Sequence, residues 1–148
     1  MQYNVTIVYV FNQLEKRRLF WKQMENPGAN IKTSWILIGD RNNVLTRKDI
    51  VGGYNVTEAE YRDIAKVMQN IGLYEATTRR CRYTWTNKLT TGVIYCDHVI
   101  GNIDWFQEYH DIIVEVLVPN IFYHASLRVR ERNQQNKRRS MFKFLNCI

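Results

Sequence analysis

The sequence predicts an α/β (α+β) fold in which mixed β-sheets are flanked by helices. Two runs rich in β-branched and apolar residues, 5–10 and 34–39, are typical of strands. Each precedes a segment with helical periodicity and a helix-start signal, 13–24 and 57–71. Later in the chain the pattern changes to short strands separated by turns. This order, β-α-β-α and then mostly β, is typical of helices packed on a mixed sheet.

The first helix is predicted over residues 13–24. Asn12 stands three positions before Glu15, which is the spacing of an N-cap and its capping-box partner. Pro27-Gly28 is expected to end the helix, because proline lacks the N–H that continues helical hydrogen bonding. The predicted apolar stripe consists of Leu14, Leu19, Phe20 and Met24.

The second helix is predicted over 57–71. It begins with a capping box formed by Thr57 and Glu60, and Gly72 closes it. Its predicted apolar face consists of Tyr61, Ile64, Ala65, Met68 and Ile71. The elements expected after it are short strands over 82–86, 93–100, 112–118 and 125–130 and a helical turn over 103–106.

Length and charge predict one globular domain with a basic tail. A chain of 148 residues with 45% hydrophobic residues is long enough for a real core, which we place at 1–130, with the tail at 131–148. Residues 126–143 contain seven Lys and Arg against one Glu, and so carry +6 of the net charge of +7. A solvated segment, a contact for DNA or RNA and a nuclear import signal are the three readings of such a tail.

The lengths of the apolar runs and the N-terminal sequence favour a nuclear or cytoplasmic protein with no membrane contact. The apolar runs are too short to span a bilayer, and the N-terminus lacks a signal-peptide pattern. The three cysteines have no C-x-x-C spacing, which argues against a disulfide framework and against a zinc site.

The most informative stretch is the end of the second strand. The apolar run Trp35 to Ile38 ends at Gly39, where a chain can turn tightly. Asp40 and Asn42 follow at i, i+2, which in extended backbone places both side chains on one face. A carboxylate and an amide in that position suit the binding of a water, a phosphate or a metal, although Asp and Asn are also common in ordinary turns.

Several separated segments, in order along the chain, resemble one family. They are Tyr9 with Asn12, Lys16-Arg17-Arg18 with Trp21, Gly39-Asp40-x-Asn42, Tyr83-Thr84-Trp85, Asp97 with Asn102 and Trp105, Phe122-Tyr123-His124 and Phe142-Lys143-Phe144-Leu145-Asn146. The ordered set, from Val5 onward, resembles the endonuclease domain of plant LINE-type retrotransposons, within the endonuclease/exonuclease/phosphatase superfamily. The resemblance implies a partial DNase I-like sandwich, whose first strands and metal-binding Glu are expected upstream of this sequence.

The resemblance also implies roles for individual residues. The catalytic residues would be Tyr9, Asp40, Asn42, Asp97 and His124, and the phosphate-binding residues Asn12 and Asn42. Asp40 would position or activate the attacking water, and Tyr9 would donate to a phosphate oxygen. His124, oriented by Asp97, would stabilise the charged transition state. The residues also have plainer interpretations. Tyr9 is then an aromatic residue that packs in a strand, His124 is a histidine at the end of a strand, and Asp97 caps the turn near Gly101.

Two departures from the family pattern favour weak or absent catalysis. Tyr123 stands where the family has a metal-binding Asp, and Arg41 stands where it usually has Phe. Asp40 alone would be a weak ligand for the Mg²⁺ that the family uses, so we expect Mg²⁺ to be bound loosely or not at all. The chain is thus interpreted as a degenerate metal-dependent phosphodiesterase, with a nucleic-acid-binding or protein-interaction module and a remnant without a selected role as the alternatives.

Two basic groups are candidate contacts for DNA or RNA. The predicted nucleic-acid-binding residues are Arg79, Arg80 and Arg82, which flank the aromatic Tyr83 and Trp85, and Lys137, Arg138 and Arg139 in the tail. Aromatic and basic side chains together suit single-stranded nucleic acid, whereas the plainer interpretation of the first group is a hairpin with a solvated outer face.

Overall fold

A computed structural model describes residues 3–45, 47–51, 57–80, 84–86, 93–94, 97–117 and 125–132. In chain order the elements are β1 (Asn4–Tyr9), α1 (Leu14–Asn30), β2 (Trp35–Asp40), a 3-10 helix (Arg47–Asp49), β3 (Ile50–Val51), α2 (Glu58–Ile71), β4 (Leu73–Glu75), β5 (Thr78–Arg80), β6 (Trp85–Thr86), β7 (Val93–Ile94), β8 (Asp97–Asn102), α3 (Ile103–Glu108), β9 (Ile112–Val116) and β10 (Leu127–Glu131). The predicted combination of helices with mixed sheets is confirmed.

The main sheet has the strand order β1-β2-β8-β4. β1 and β2 pair in parallel, as expected for strands joined by a helix, and β8 pairs antiparallel with both β2 and β4. A second sheet has the order β10-β9-β5, and a small third sheet has the order β3-β7-β6. The predicted sharing of one sheet by the first two strands is therefore confirmed.

Two apolar cores cover the two faces of the main sheet. On one face α1 and α2 pack through Trp21 and Ile64 onto Trp35 and Leu37 of β2. On the other face the second sheet packs against the main sheet, in a cluster that contains Ile36, Ile38, Val99, Val114, Val116 and Leu127. Successive residues of β2 therefore pack into opposite cores. The described elements form three layers: the helices α1 and α2, the main sheet and the second sheet.

The first helix is longer than its sequence predicts. It runs to Asn30, through Pro27 and Gly28, instead of ending near residue 24. Gly28 is buried at a close contact, where a Cβ would lie 2.5 Å from Ile71 Cδ1. The glycine therefore lets two helices approach each other, and the expectation that it ends the helix was wrong.

The start and the apolar face of α1 also differ from the prediction. The N-cap is Gln13, without a side-chain hydrogen bond, so Asn12 does not cap this helix. Leu19 is 57% exposed, whereas Trp21 is buried in the core. The apolar stripe is therefore rotated relative to the one predicted.

The second helix follows its prediction closely. The Thr57 N–H donates to Glu60 Oε1 at 3.4 Å in a capping box, and Gly72 closes the helix with a positive φ of 67°. Val67 takes the core position predicted for Ala65, which is exposed.

The later strands are shorter than predicted and more divided. The single strand expected over 93–100 is two strands, β7 and β8, which belong to different sheets. β4 and β5, of three residues each, were not predicted, because such short strands carry too little periodicity. The helical turn expected over 103–106 is α3.

Candidate functional site

Three of the predicted catalytic residues lie directly beside one another on adjacent strands of the main sheet, and we call this row of three the rung. Asp40, the last residue of β2, pairs in register with Tyr9 of β1 on one side and with Asp97 of β8 on the other. Residues directly opposite each other on neighbouring strands present their side chains on the same face. In β2 the side chains of Ile36, Ile38 and Asp40 point to the same face, because every second residue of a strand does. The rung therefore lies on the face of the main sheet that packs against the second sheet.

Asn42 is held against Asp40. The backbone N–H of Asn42 donates to Asp40 Oδ1 at 2.8 Å, and its side-chain amide donates to Asp40 Oδ2 at 3.4 Å. The same amide also donates to the carbonyl of Val10 at 2.7 Å, so it joins the chain after β1 to the chain after β2. Asn42 has a φ of 48°, a left-handed conformation that asparagine tolerates better than most residues.

Gly39 allows the backbone of β1 to pass close to β2 just before the rung. Its φ is +138°, and a Cβ at this position would lie 2.1 Å from the carbonyl oxygen of Val8. Only glycine fits both the conformation and the contact. The strand does not end here, as the sequence suggested, but continues through Asp40.

Asp97 begins β8 beside the segment that leads into the last strand. Its backbone N–H donates to the hydroxyl of the buried Thr84 at 3.1 Å. The backbone carbonyl of Thr84 in turn accepts the N–H of Ala125 at 2.6 Å. Thr84 therefore connects Asp97 to the segment that precedes β10. The turn-cap interpretation of Asp97 was wrong, because the side chain that caps α3 is Asn102, which accepts the N–H of Trp105.

The three members of the rung differ in their exposure to solvent. The carboxylates of Asp40 and Asp97 belong to residues that are 2% and 4% exposed, whereas Tyr9 is 55% exposed. Arg41, directly after Asp40, is itself 1% exposed, so its side chain lies inside the molecule.

Asp40 is the residue that was predicted as a weak Mg²⁺ ligand. Mg²⁺ is usually held by one or two carboxylates, with waters or phosphate completing an octahedron. Both oxygens of Asp40 already accept hydrogen bonds from Asn42. Across the part of the chain that the structure describes, no group of three or more His, Cys, Asp or Glu side chains is placed to hold a metal ion.

The remaining predicted residues fall in three places. Asn12 is exposed, and its carbonyl accepts a hydrogen bond from the buried Arg17 at 2.7 Å. Arg79 and Arg80 belong to β5, the edge strand of the second sheet. The predictions for His124, Arg82, Lys137, Arg138 and Arg139 concern positions outside the described residues.

Two buried polar groups near the site were not singled out from the sequence. His98, next to Asp97, is fully buried, and its Nδ1 lies 2.6 Å from Glu75 Oε1. The side-chain oxygen of Asn43 accepts the indole N–H of Trp21 at 3.0 Å, while its amide donates to the Glu60 carbonyl at 2.6 Å. Asn43 thus joins α1 to α2, a role that depends on contacts distant in sequence.

The outer face of the second sheet carries a buried carboxylate held by two arginines. Arg130 donates twice to Glu115, at 3.2 Å and 3.1 Å, and Arg128 Nε lies 3.2 Å from the same carboxylate. The hydrogen bonds to Glu115, and then its charge, raise the pKa of Arg130. Part of the charge that the sequence assigned to a basic tail is therefore structural.

Comparison with protein-family models and with characterised proteins found no match to this chain. Within the described ranges, no helix is long and apolar enough to cross a membrane.

Proposed function

We propose that this chain is a DNase I-like domain of the endonuclease/exonuclease/phosphatase type, related to LINE retrotransposon endonucleases, with weak or lost phosphodiester cleavage. The observation that carries the proposal is the rung on which Tyr9, Asp40 and Asp97 meet. The three residues come from separate motifs, 31 and 57 positions apart along the numbering, and sheet register brings them together.

The chemistry of this rung suits a phosphodiester. Asp40 would accept a proton from the attacking water, and Asn42 would donate a hydrogen bond to the water or phosphate. The exposed side chain of Tyr9 would donate its hydroxyl to a phosphate oxygen. The resemblance also implies that Asp97 orients His124, which lies outside the described residues.

Burial and occupied hydrogen-bonding capacity support the weakness of the activity. Asp40 is 2% exposed, and each of its oxygens accepts a hydrogen bond from Asn42. A water or metal would therefore have to reach a carboxylate that is almost completely buried and would share it with Asn42. Tyr123 removes a carboxylate that the family uses for its metal. Without the several kcal/mol that a metal supplies, the rate falls by orders of magnitude, since each ~1.4 kcal/mol is tenfold.

The test is nicking of supercoiled plasmid DNA by the full chain with Mg²⁺ or Mn²⁺. We expect no appreciable nicking above the level of an Asp40→Ala variant. Asp104→Ala is the matched control, because Asp104 is an exposed carboxylate in the first turn of α3, away from the rung. Robust nicking that EDTA abolishes, that both Asp40→Ala and His124→Ala remove and that Asp104→Ala leaves intact would overturn the claim of weakness.

The same protein and its variants also test the second candidate function, which is nucleic-acid binding without catalysis. The feature that favours it is the unequal charge distribution, with +6 of the net +7 in residues 126–143. Fluorescence anisotropy with labelled single- and double-stranded DNA measures binding independently of cleavage. Binding without nicking supports this function, and the absence of binding argues against it.

A further inference from the structure

β1 carries a row of exposed apolar side chains. Every second residue of this segment is large, apolar and 45–59% exposed, and we call these five residues the β1 row: Tyr3, Val5, Ile7, Tyr9 and Phe11. The intervening Val8 and Val10 are buried under the helices. Five such residues in line form a contiguous apolar strip, which is unlike the scattered apolar residues of an ordinary surface.

The backbone of β1 also has an open edge. Among the described strands, β1 is the outermost member of the main sheet and pairs with β2 alone. The N–H groups of Asn4 and Val10 donate to the carbonyls of Ser34, the residue before β2, and of Asp40, the last residue of β2. Since backbone groups alternate in direction with a period of two, the N–H and C=O groups of Val5, Ile7 and Tyr9 point away from β2.

β1 itself carries no charged side chain, and the charge next to the row is the ammonium of Lys16, 4.7 Å from the centroid of the Phe11 ring at one end. The first 14 residues of the chain contain no Asp, Glu, Lys or Arg. Natural proteins usually protect an exposed edge strand with lysine, proline or a bulge, and β1 has none of these features. A strand without charges can lie beside an identical strand with no like-charge repulsion between them.

We propose that β1 pairs antiparallel with β1 of a second copy of this chain, about a two-fold axis at Ile7. In this register Ile7 lies opposite Ile7, Val5 opposite Tyr9, and Tyr3 opposite Phe11 of the second copy. All the outward-pointing backbone groups of β1 then meet partners, because each of these pairs joins two residues whose N–H and C=O groups face the edge. The two main sheets become one continuous sheet.

The β1 row is self-complementary in this register. Tyr3 with Phe11 is an aromatic pair, and Val5 with Tyr9 is a β-branched–aromatic pair, two combinations that stabilise antiparallel strands. Displacing the register by one residue would place exposed positions opposite buried ones. The chemistry of the row therefore selects a second copy over an unrelated strand. This inference concerns the edge and not the reaction. It shares Tyr9 with the proposed function, and it applies to the chain as given, because the first strands that the resemblance implies upstream would compete for the same edge.

The first test is the mass in solution by analytical ultracentrifugation across a concentration series. We expect a concentration-dependent species of twice the 17.7 kDa of one chain. Ile7→Lys should weaken the association at least about tenfold, because two ammonium groups would face each other across the axis. Leu19→Lys is the matched control, since Leu19 is equally exposed but lies on α1, and it should leave the association unchanged.

A second test fixes the register. In a chain with Cys81, Cys96 and Cys147 replaced by serine, Ile7→Cys should cross-link two copies under mild oxidation. Directly opposed residues of a hydrogen-bonded antiparallel pair lie about 5.5 Å apart at Cα, within disulfide range. Val5→Cys alone should not cross-link, whereas Val5→Cys combined with Tyr9→Cys should. A monomer at all concentrations, or a dimer that Ile7→Lys leaves intact, overturns the proposal.

Discussion

The side-chain amide of Asn42 donates a hydrogen bond to the carbonyl of Val10 at 2.7 Å. This single bond joins the segments that follow two parallel strands, at the end of the sheet where the candidate site lies. Because Asn42 also contacts Asp40, its conformation determines where that carboxylate is held.

The first prediction compares two substitutions of this asparagine. Asn42→Ala loses the side-chain bonds and must also adopt a left-handed φ, so we expect a loss of about 2–3 kcal/mol in the free energy of unfolding. Asn42→Gly loses the same bonds without the conformational penalty, and should lose only about 1 kcal/mol. Urea denaturation measures both. Equal losses for the two variants would show that the left-handed conformation contributes nothing.

A second prediction contrasts two glycines with positive φ. Gly39→Ala should prevent folding or destabilise the chain by more than about 4 kcal/mol, because the new Cβ would meet the Val8 carbonyl at 2.1 Å. Gly72→Ala meets nothing within 4 Å, so it should lose only the roughly 1–2 kcal/mol of the left-handed conformation. Soluble yield and thermal unfolding distinguish them. A well-folded Gly39→Ala variant would contradict the described approach of β1 to β2.

The third prediction concerns Glu115 and its two arginines. Arg128→Gln and Arg130→Gln should each have a small effect on stability, because the other arginine still faces the buried carboxylate. The double variant should lose more than the sum of the single losses, since Glu115 then loses its contacts with both arginines. A double-mutant cycle by urea denaturation measures the difference. Additive losses would mean that the two arginines act independently.

The fourth prediction concerns nucleic acid and the basic tail. Deletion of residues 133–148 removes Lys137, Arg138, Arg139 and Lys143 while leaving β10 complete. We expect weaker binding to duplex DNA and a salt dependence that falls by about 3–4 in logarithmic slope, if each cation neutralises one phosphate. Replacing the four residues by Gln should reproduce the effect. Binding that persists after the deletion and at high salt would exclude the tail as the contact.

The choice of deletion boundary follows from the structure. A cut at residue 128 would remove most of β10, which spans Leu127–Glu131, and with it both arginines that hold Glu115. Loss of binding after such a cut would then reflect damage to the second sheet. The boundary at residue 133 leaves β10 and both arginines in place.

The sequence predicts those elements whose signals are local. The second helix was predicted with its capping box and its closing glycine because Thr57, Glu60 and Gly72 act on their own turns. The role of Gly28 could not be predicted, since it depends on Ile71, which is distant in sequence and lies on another helix. The division of 93–100 between two sheets depends on pairing partners in the same way.

The candidate site shows the same limit. The i, i+2 spacing of Asp40 and Asn42 predicted their association, which the hydrogen bonds between them match. No spacing could place Asp97 on the same rung, because the register of β8 is determined by the packing of the whole sheet. His98 and Glu75 were missed for that reason too, since their pairing joins β8 to β4.

The strand order has a consequence for synthesis on the ribosome. β1, α1, β2 and α2 all lie within residues 4–71, so they can assemble while the rest of the chain is still being made. β8 then has to insert between β2 and β4, both of which precede it, and until it does β2 has an unpaired edge. A nascent chain that stalls before residue 97 would therefore leave both β2 and β4 without their partner β8. The carboxylates of Asp40 and Asp97 meet only when β8 has inserted.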